Sequence, residues 1–338
     1  MRVLVVGVGA VGARAARQLL FLGPLDDLAV ADIDAGLAHA VADSLGAPAH
    51  VVYDLASVEA GDVVVLAMPG RHGDLARQAV QRGAHVVSTA DSVAAVQELL
   101  ELDGEAAPRR VHVVVGAGFS PGLTCVLAAL GGRAFEAVEE IHVSKVGTGG
   151  PSCARQHHEA LAGEAIDWRD GVWDRRRGGS GRELCWFPDP LRGVDCYRAS
   201  LPDTLLLAKA FPDAKRITAR MGASRRDRLT ARLPMLRKPH PEGDYGAIRV
   251  EVRGAQGVAL DDRVFGAVDR PAVAAGTVAA MAARWVLDGR FERPGAGGLA
   301  AAVEPGPFLA ALADRGLKVA VFEGGHHGER STTTAAAR

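Results

Sequence analysis

The sequence predicts an α/β protein of two domains, and three observations predict it. Short β-branched runs alternate with amphipathic helical segments up to Val115. Beyond it, strands with alternating apolar and polar residues follow one another across turns. From Pro271 the chain returns to helix. The class expected is therefore a doubly wound parallel sheet, then an α+β domain built on a largely antiparallel sheet, then a C-terminal segment returning to the first domain. The boundaries read from the pattern are 1–120, 121–270 and 271–323, with a polar, weakly patterned tail at 324–338.

Size and composition agree with that division. At 338 residues the chain exceeds what one core usually fills. Apolar residues make up 48%, charged residues 23%, and the formal net charge is -1, which excludes a polyanion-binding surface, so no nucleic-acid partner is expected. The run Arg175, Arg176, Arg177 reads as a solvated loop rather than an anion site. No apolar stretch approaches the ~20 residues of a membrane span, and the chain opens on a strand without a signal-peptide layout, so the expected setting is cytoplasmic, away from membranes. Cys125, Cys153, Cys185 and Cys196 stand singly, as in a reducing compartment. Cys153 and His157 are four apart, but without paired close spacings no metal centre is expected, and Cys153 reads as a small core filler.

In chain order, VLVVG, LAVAD, HVVYD, DVVVLA, HVVST and VHVVV read as six buried parallel strands. AVGARAARQLL, AGLAHAVADSL, HGDLARQAVQR and SVAAVQELLEL carry apolar residues at helical spacing between them, and the link around Gly46 to Ala49 is too short for a further helix. GAGFSPGLTCVLAAL offers a helix running to about Leu130, with Ser120 as cap and Pro121 in its first turn. EEIHVSKVG, RELCWF, DCYRA, AKRITARMG, GAIRVEVRG and DRVFGAV read as the second sheet. PAVAAGTVAAMAARWVLDG is a long helix, and a last helix and strand fall in PGPFLAALADRGLKVAVFE.

GVGAVG directly follows the first strand and precedes a helix. In that context Gly7 makes the tight turn, Gly9 lets a diphosphate approach the backbone, Gly12 permits close helix packing, and the amides of Ala10 and Val11 open the helix toward the phosphates. Asp32 ends the second strand twenty residues after Gly12, where a carboxylate accepts both ribose hydroxyls. Its charge repels a 2'-phosphate, and Ile33 and Asp34 supply no arginine to neutralise one, so NAD is expected in preference to NADP. Ala67, Met68 and Pro69, Thr89 and Ala90, and Gly118 fall at strand ends along the path of the dinucleotide.

Together GVGAVG, DVVVLAMPGRHGDLARQAVQRGAHVVSTA, GAGFSPGLTCVLA and GLAAAVEPGPFLAALADRGLKVAVFE resemble the saccharopine dehydrogenase-like family, which includes lysine dehydrogenases and the homospermidine and carboxynorspermidine synthases. The stretch 147–245 matches it least. The resemblance implies a nicotinamide enzyme that oxidatively cleaves or reductively forms a C–N bond in a secondary amine, through an imine. A lysine-type dehydrogenase that releases ammonia and a non-catalytic NAD sensor are the competing readings. A small amino-acid-like substrate is implied.

Such chemistry needs groups that move protons near neutrality. In IHVSKV, alternation places Lys145 with Ile141 and Val143, either desolvated and suited to proton transfer or with its stem reaching solvent past the strand end. His157 and His158 open a helix after a Gly-Pro loop, and at most one faces the cleft. Asp91 ends the fifth strand, either as a substrate or proton-relay group or as the cap of the helix starting at Val93. Phe119, Arg155 and Arg249 are the substrate-contact candidates, the arginines for a carboxylate. Arg249 lies on the polar face of its strand, toward substrate, another subunit or water. A homodimer is expected, because the second sheet must cover an edge or a face.

Overall fold

The computed structural model describes residues 1–70, 72–235, 239–240 and 243–322; the expected tail at 324–338 lies outside the described residues. The first half runs β1 (Arg2–Val6), α1 (Ala10–Leu22), β2 (Asp27–Ala31), α2 (Ala35–Leu45), β3 (Ala49–Val51), β4 (Val63–Leu66), α3 (His72–Gln81), β5 (His85–Ser88), α4 (Val93–Glu101), α5 (Asp103–Ala106) and β6 (His112–Val115). The middle runs α6 (Leu123–Gly132), β7 (Ala137–Val146), α7 (Pro151–Ala162), β8 (Glu164–Arg169), β9 (Val172–Arg177), β10 (Glu183–Trp186), β11 (Gly193–Arg198), α8 (Asp203–Ala210), β12 (Arg216–Gly222), α9 (Arg225–Thr230), β13 (Gly246–Gln256) and β14 (Ala259–Asp269). The chain closes with α10 (Pro271–Leu287), β15 (Gly295–Gly298), α11 (Leu299–Ala302), α12 (Pro305–Ala313) and β16 (Val319–Phe322).

The six expected strands form one parallel sheet in the order β3-β2-β1-β4-β5-β6, the doubly wound arrangement, and β15 adds a seventh parallel strand beyond β6. Their continuous valine and leucine runs follow from burial on both faces: Val63, Val64, Val65 and Leu66 are all fully buried. The order reverses between β1 and β4, so the carboxyl ends of these two strands open a crevice.

The second sheet has the path β10-β11-β12-β7-β13-β14-β16, with the β8–β9 hairpin joined to β12. It is antiparallel except where β12 runs beside β7. Ile141, Val143 and Lys145 of β7 sit opposite Val252, Val250 and Ile248 of β13 and share one buried face. The long helix α10, buried over most of its length, packs against α1 and lies over β4 and β5, so the chain after β14 returns to the first sheet. No helix among the described residues is long and apolar enough to cross a membrane.

Four details differ from the sequence reading. Ser120 does not cap α6; the helix begins at Leu123 with Gly122 before it, because the Ser120 hydroxyl is taken up by Asp203. The arginine run lies in strand β9 rather than in a loop, paired with β8 through Asp170-Gly171, whose φ values of 49° and 84° match the turn that DG favours. Strand β15 is GAGG and carries no apolar alternation; backbone pairing with β6 and an Ala296 amide donated to Asp103 at 2.7 Å hold it. Strand β16 does not pack on the first sheet: it pairs with β14 and covers the edge that β14 would otherwise leave open.

The carboxylate of Asp203, fully buried at the start of α8, accepts the hydroxyls of Thr124 at 2.6 Å and Ser120 at 3.0 Å, fastening α8 to the entrance of α6. Asp203→Ala leaves both hydroxyls buried without an acceptor and is expected to cost about 3 kcal/mol in denaturant unfolding, with a smaller loss for Asp203→Asn, which keeps an acceptor.

Candidate active site

The strand ends open onto one cavity of about 940 Å³, a volume suited to a dinucleotide together with a small ligand. Its first end is the turn after β1. Gly7 has φ 84° and its amide donates to the Ala31 carbonyl at 2.8 Å; a Cβ there would lie 2.5 Å from that of Met68. A Cβ on Gly12 would lie 1.8 Å from the Gly7 carbonyl oxygen, so α1 can approach β1 only with glycine at this position. On Gly9 a Cβ would meet nothing within 4 Å, which leaves the space a diphosphate needs. No side chain caps α1 and no acidic residue stands in its first turn, so its amides are open to an anion.

The Asp32 carboxylate accepts the Val8 amide at 2.7 Å and the Asp34 amide at 3.0 Å, which fixes it beside the turn. Ile33 is fully exposed, and with Tyr53 and Leu37 it borders the end of the cavity beside Asp32. Gly7, Gly9, Ala10, Val11, Asp32 and Ile33 all line the cavity, as do Ala67, Met68, Pro69, Thr89, Ala90 and Gly118 farther along; Gly12 sits behind the turn.

His72 was not picked out by the sequence. It is buried in the first turn of α3, where Nε2 donates to the Met68 carbonyl at 2.6 Å and Nδ1 accepts the Ser88 hydroxyl at 2.9 Å; Ser88 in turn accepts the Ala90 amide at 3.1 Å. This chain of bonds ties the end of β4 to the end of β5 beneath the cavity. Burial drives the His72 pKa down from 6.5 to about 4, against the opposing effect of the Met68 hydrogen bond.

The far end is built from β5, the link 116–122, β7 and α7. Lys145 is buried, 4% exposed, and donates from Nζ to the Ser120 carbonyl at 3.1 Å, so the desolvated placement holds and the solvent-reaching one does not. Phe119 is buried along the same wall. Ser92 caps α4 by accepting the Ala95 amide at 3.3 Å, which releases Asp91 to face the cavity. Burial raises the Asp91 pKa, opposed by the nearby Lys145 charge. His157 also lines the cavity, its pKa lowered first by burial and then by Lys145. Cys153 is not a core filler: it lines the cavity, 3.7 Å from Asp91 and 3.5 Å from His157, and burial pushes its thiol up to about 12.

Three candidates fall elsewhere. The two histidines sit in mid-helix rather than at its opening, and one position of helical rotation turns His158 away from the cavity to the Leu233 carbonyl at 2.9 Å. Arg155 is exposed on the outer face of α7, bonded to Ser152. Arg249 pairs across the sheet with Ser144, on the face opposite Lys145, and bonds Glu251 at 2.7 Å. Among the described residues no arginine lines the cavity, and Lys145 is its lysine.

Residues 1–117 match the oxidoreductase family with an NAD-binding Rossmann fold. That match, together with the parallel sheet and the glycine turn, makes the N-terminal domain an NAD-binding Rossmann domain. Over the whole chain the fold is similar to that of apo saccharopine dehydrogenase (L-Glu forming) from Saccharomyces cerevisiae, with a TM-score of 0.69 at 18% identity, covering 95% of this chain and 100% of that one. The resemblance read from the sequence is thus shared at the level of fold. Weaker similarities join it to the DAP dehydrogenase of C. glutamicum in complex with DAP (TM-score 0.49, 15% identity, covering 92% of this chain and 95% of that one). GenD2 from gentamicin A biosynthesis, in complex with NAD, is similar at TM-score 0.46 and 18% identity, covering 96% and 97%.

The depressed pKa of His72 has a pH signature beside the NAD-binding turn. Well above pH 6.5 the ring is neutral in both folded and unfolded chains; as the pH falls through 6.5 toward 4 the unfolded chain takes up the proton and the folded chain does not, so stability is lost across that window. The loss expected from this group is about 3 kcal/mol. Urea unfolding at pH 7 and pH 4 checks it: His72→Gln is expected to be less stable than wild type at pH 7 and to show a pH dependence flatter by about that amount.

Proposed function

We propose that the protein is an NAD-dependent oxidoreductase that oxidatively cleaves, or reductively forms, a C–N bond in a secondary amine of a lysine-like or polyamine-like metabolite. The observation that carries this reading is the position of Lys145: a buried lysine beyond the strand ends, in the same cavity as the NAD turn, with Asp91 and His157 around it. When bound, NAD accepts a hydride at its nicotinamide. The substrate carbon bearing nitrogen gives up that hydride, its nitrogen gives up a proton, and water added across the resulting imine yields an amine and a carbonyl compound.

Lys145 is the group assigned to the proton at the substrate nitrogen, taking it up as the free amine and returning it as the ammonium, because its Nζ is held by a single carbonyl and adjoins the open cavity. The apolar wall of Phe119, Ala90 and Pro121 limits water around the bond. With Arg155 and Arg249 outside the cavity, a substrate carboxylate is assigned to the neutral donors Ser92, Ser152 and Gln156. Asp32, with no arginine beside it, supports NAD over NADP. A homodimer belongs to the same proposal, supported by the edge strand β10, which leaves Leu184 and Trp186 exposed.

Saccharopine and other N-substituted amino acids, offered with NAD, are expected to generate NADH together with an amine larger than ammonia. Ammonia as the product assigns the protein instead to the simple amino-acid dehydrogenases, and tight NADH binding without hydride transfer to any candidate imine assigns it to the sensors. On the active substrate, Lys145→Met is expected to lower kcat by about 100-fold or more while NADH affinity is retained, and His158→Ala is expected to turn over normally. Near-normal rates from both Lys145→Met and His157→Ala contradict the assignment.

A further inference from the structure

Cys153 and His157 occupy positions i and i+4 of α7, so their side chains leave the helix on one face. That face meets the end of β5, where Asp91 projects into the same cavity. Cys153 Sγ lies 3.5 Å from His157 Nε2 and 3.7 Å from Asp91 Oδ2, and the three donor atoms all lie within 4.8 Å of one another. A zinc ion bound at ~2.3 Å to sulfur and ~2.0–2.2 Å to nitrogen and oxygen, with tetrahedral angles, sets its sulfur-to-nitrogen and sulfur-to-oxygen edges at about 3.5 Å. Both measured edges fall close to that length, and the third, between Asp91 and His157, is within 4.8 Å.

We propose that Asp91, Cys153 and His157 form a three-ligand site for a divalent zinc-like cation, with its fourth position open to the cavity. The donor set of one thiolate, one imidazole and one carboxylate suits a borderline-soft ion rather than magnesium or calcium, which take oxygen alone. Three protein ligands and an open position are the arrangement of a zinc that works on a bound molecule rather than one that holds a fold together.

Charge is balanced in the loaded site. Two positive charges on the ion meet the Asp91 carboxylate and the Cys153 thiolate, whose proton leaves to solvent on binding, and His157 contributes none. The two remaining buried charges of this region, Lys145 and Asp203, are opposite in sign, and the Lys145 ammonium is turned to the Ser120 carbonyl. The open position takes a lone pair of the substrate's heteroatom, the nitrogen in the reading above, and draws electron density from it. Asp91 and His157 then act through the ion, and Lys145 carries the proton. Metal binding itself does not depend on which bond is oxidised.

The full-length protein, stripped with chelator and titrated with Co²⁺, tests this without any substrate. The expected result is one cobalt per chain, with a thiolate-to-cobalt charge-transfer band and the intense visible bands of a four-coordinate ion, displaced by Zn²⁺. Loss of an outer partner of a zinc ligand already costs about 10–100-fold in affinity, so Cys153→Ser is expected to abolish the charge-transfer band and weaken binding by about 100-fold or more. His157→Ala is expected to weaken binding while keeping the band. Doubly substituted His326→Ala, His327→Ala protein controls for the tail histidines and is expected to bind as wild type. Absence of tight cobalt and zinc binding, or undiminished binding by Cys153→Ser, overturns the proposal; substrate turnover can fail or succeed independently of either result.

Discussion

The lysine ammonium buried between the two sheets is the constraint that organises the rest of the molecule. A charged group this far from water is costly unless it is hydrogen-bonded and set among compensating charges. Lys145 meets that condition through the Ser120 carbonyl and the nearby carboxylate of Asp91. Ser120 serves twice, since its hydroxyl binds Asp203 while its carbonyl binds Lys145. The short link between β6 and α6 is therefore held from the second sheet on one side and from α8 on the other. Displacing it would strand the Lys145 charge and the Ser120 hydroxyl, which holds this wall of the cavity in place.

That rigidity explains how a glycine turn at one end of the chain and a strand 130 residues later can cooperate on one small molecule. In the proposed site the turn places the diphosphate and Asp32 the sugar, while the His72 bonds to Met68 and Ser88 fix the floor of the cavity. Each acts through backbone groups whose positions the parallel sheet determines. The second domain supplies the opposite wall: β7 delivers Lys145, and α7 delivers Cys153 and His157 from one helical face.

Much of this was legible in the sequence because it depends on local pattern. The six parallel strands, the GVGAVG turn, Asp32 and the inward face of Lys145 all follow from periodicity and spacing within a few residues. The parts that were missed depend on long-range pairing. His72 is defined by a serine sixteen residues away, and Asp203 by hydroxyls 79 and 83 residues away. Strand β15 is glycine and alanine, held by its neighbour and by Asp103 rather than by its own side chains. Arg155 and Arg249 were chosen for chemistry that suits a carboxylate, yet helix phase and strand alternation turn both away from the cavity. The β8–β9 hairpin is a different case, because its DG turn was present in the sequence as a local signal.

The central claim is that the NAD turn and the Lys145 wall belong to one site, with the nicotinamide between them. A crystal structure of the protein soaked with NAD tests it most directly. The account places the diphosphate over Gly9, the ribose hydroxyls on Asp32 and the nicotinamide C4 facing Lys145 and Asp91. A dinucleotide bound away from the turn, or a nicotinamide directed out to solvent with the Lys145 end left vacant, contradicts it.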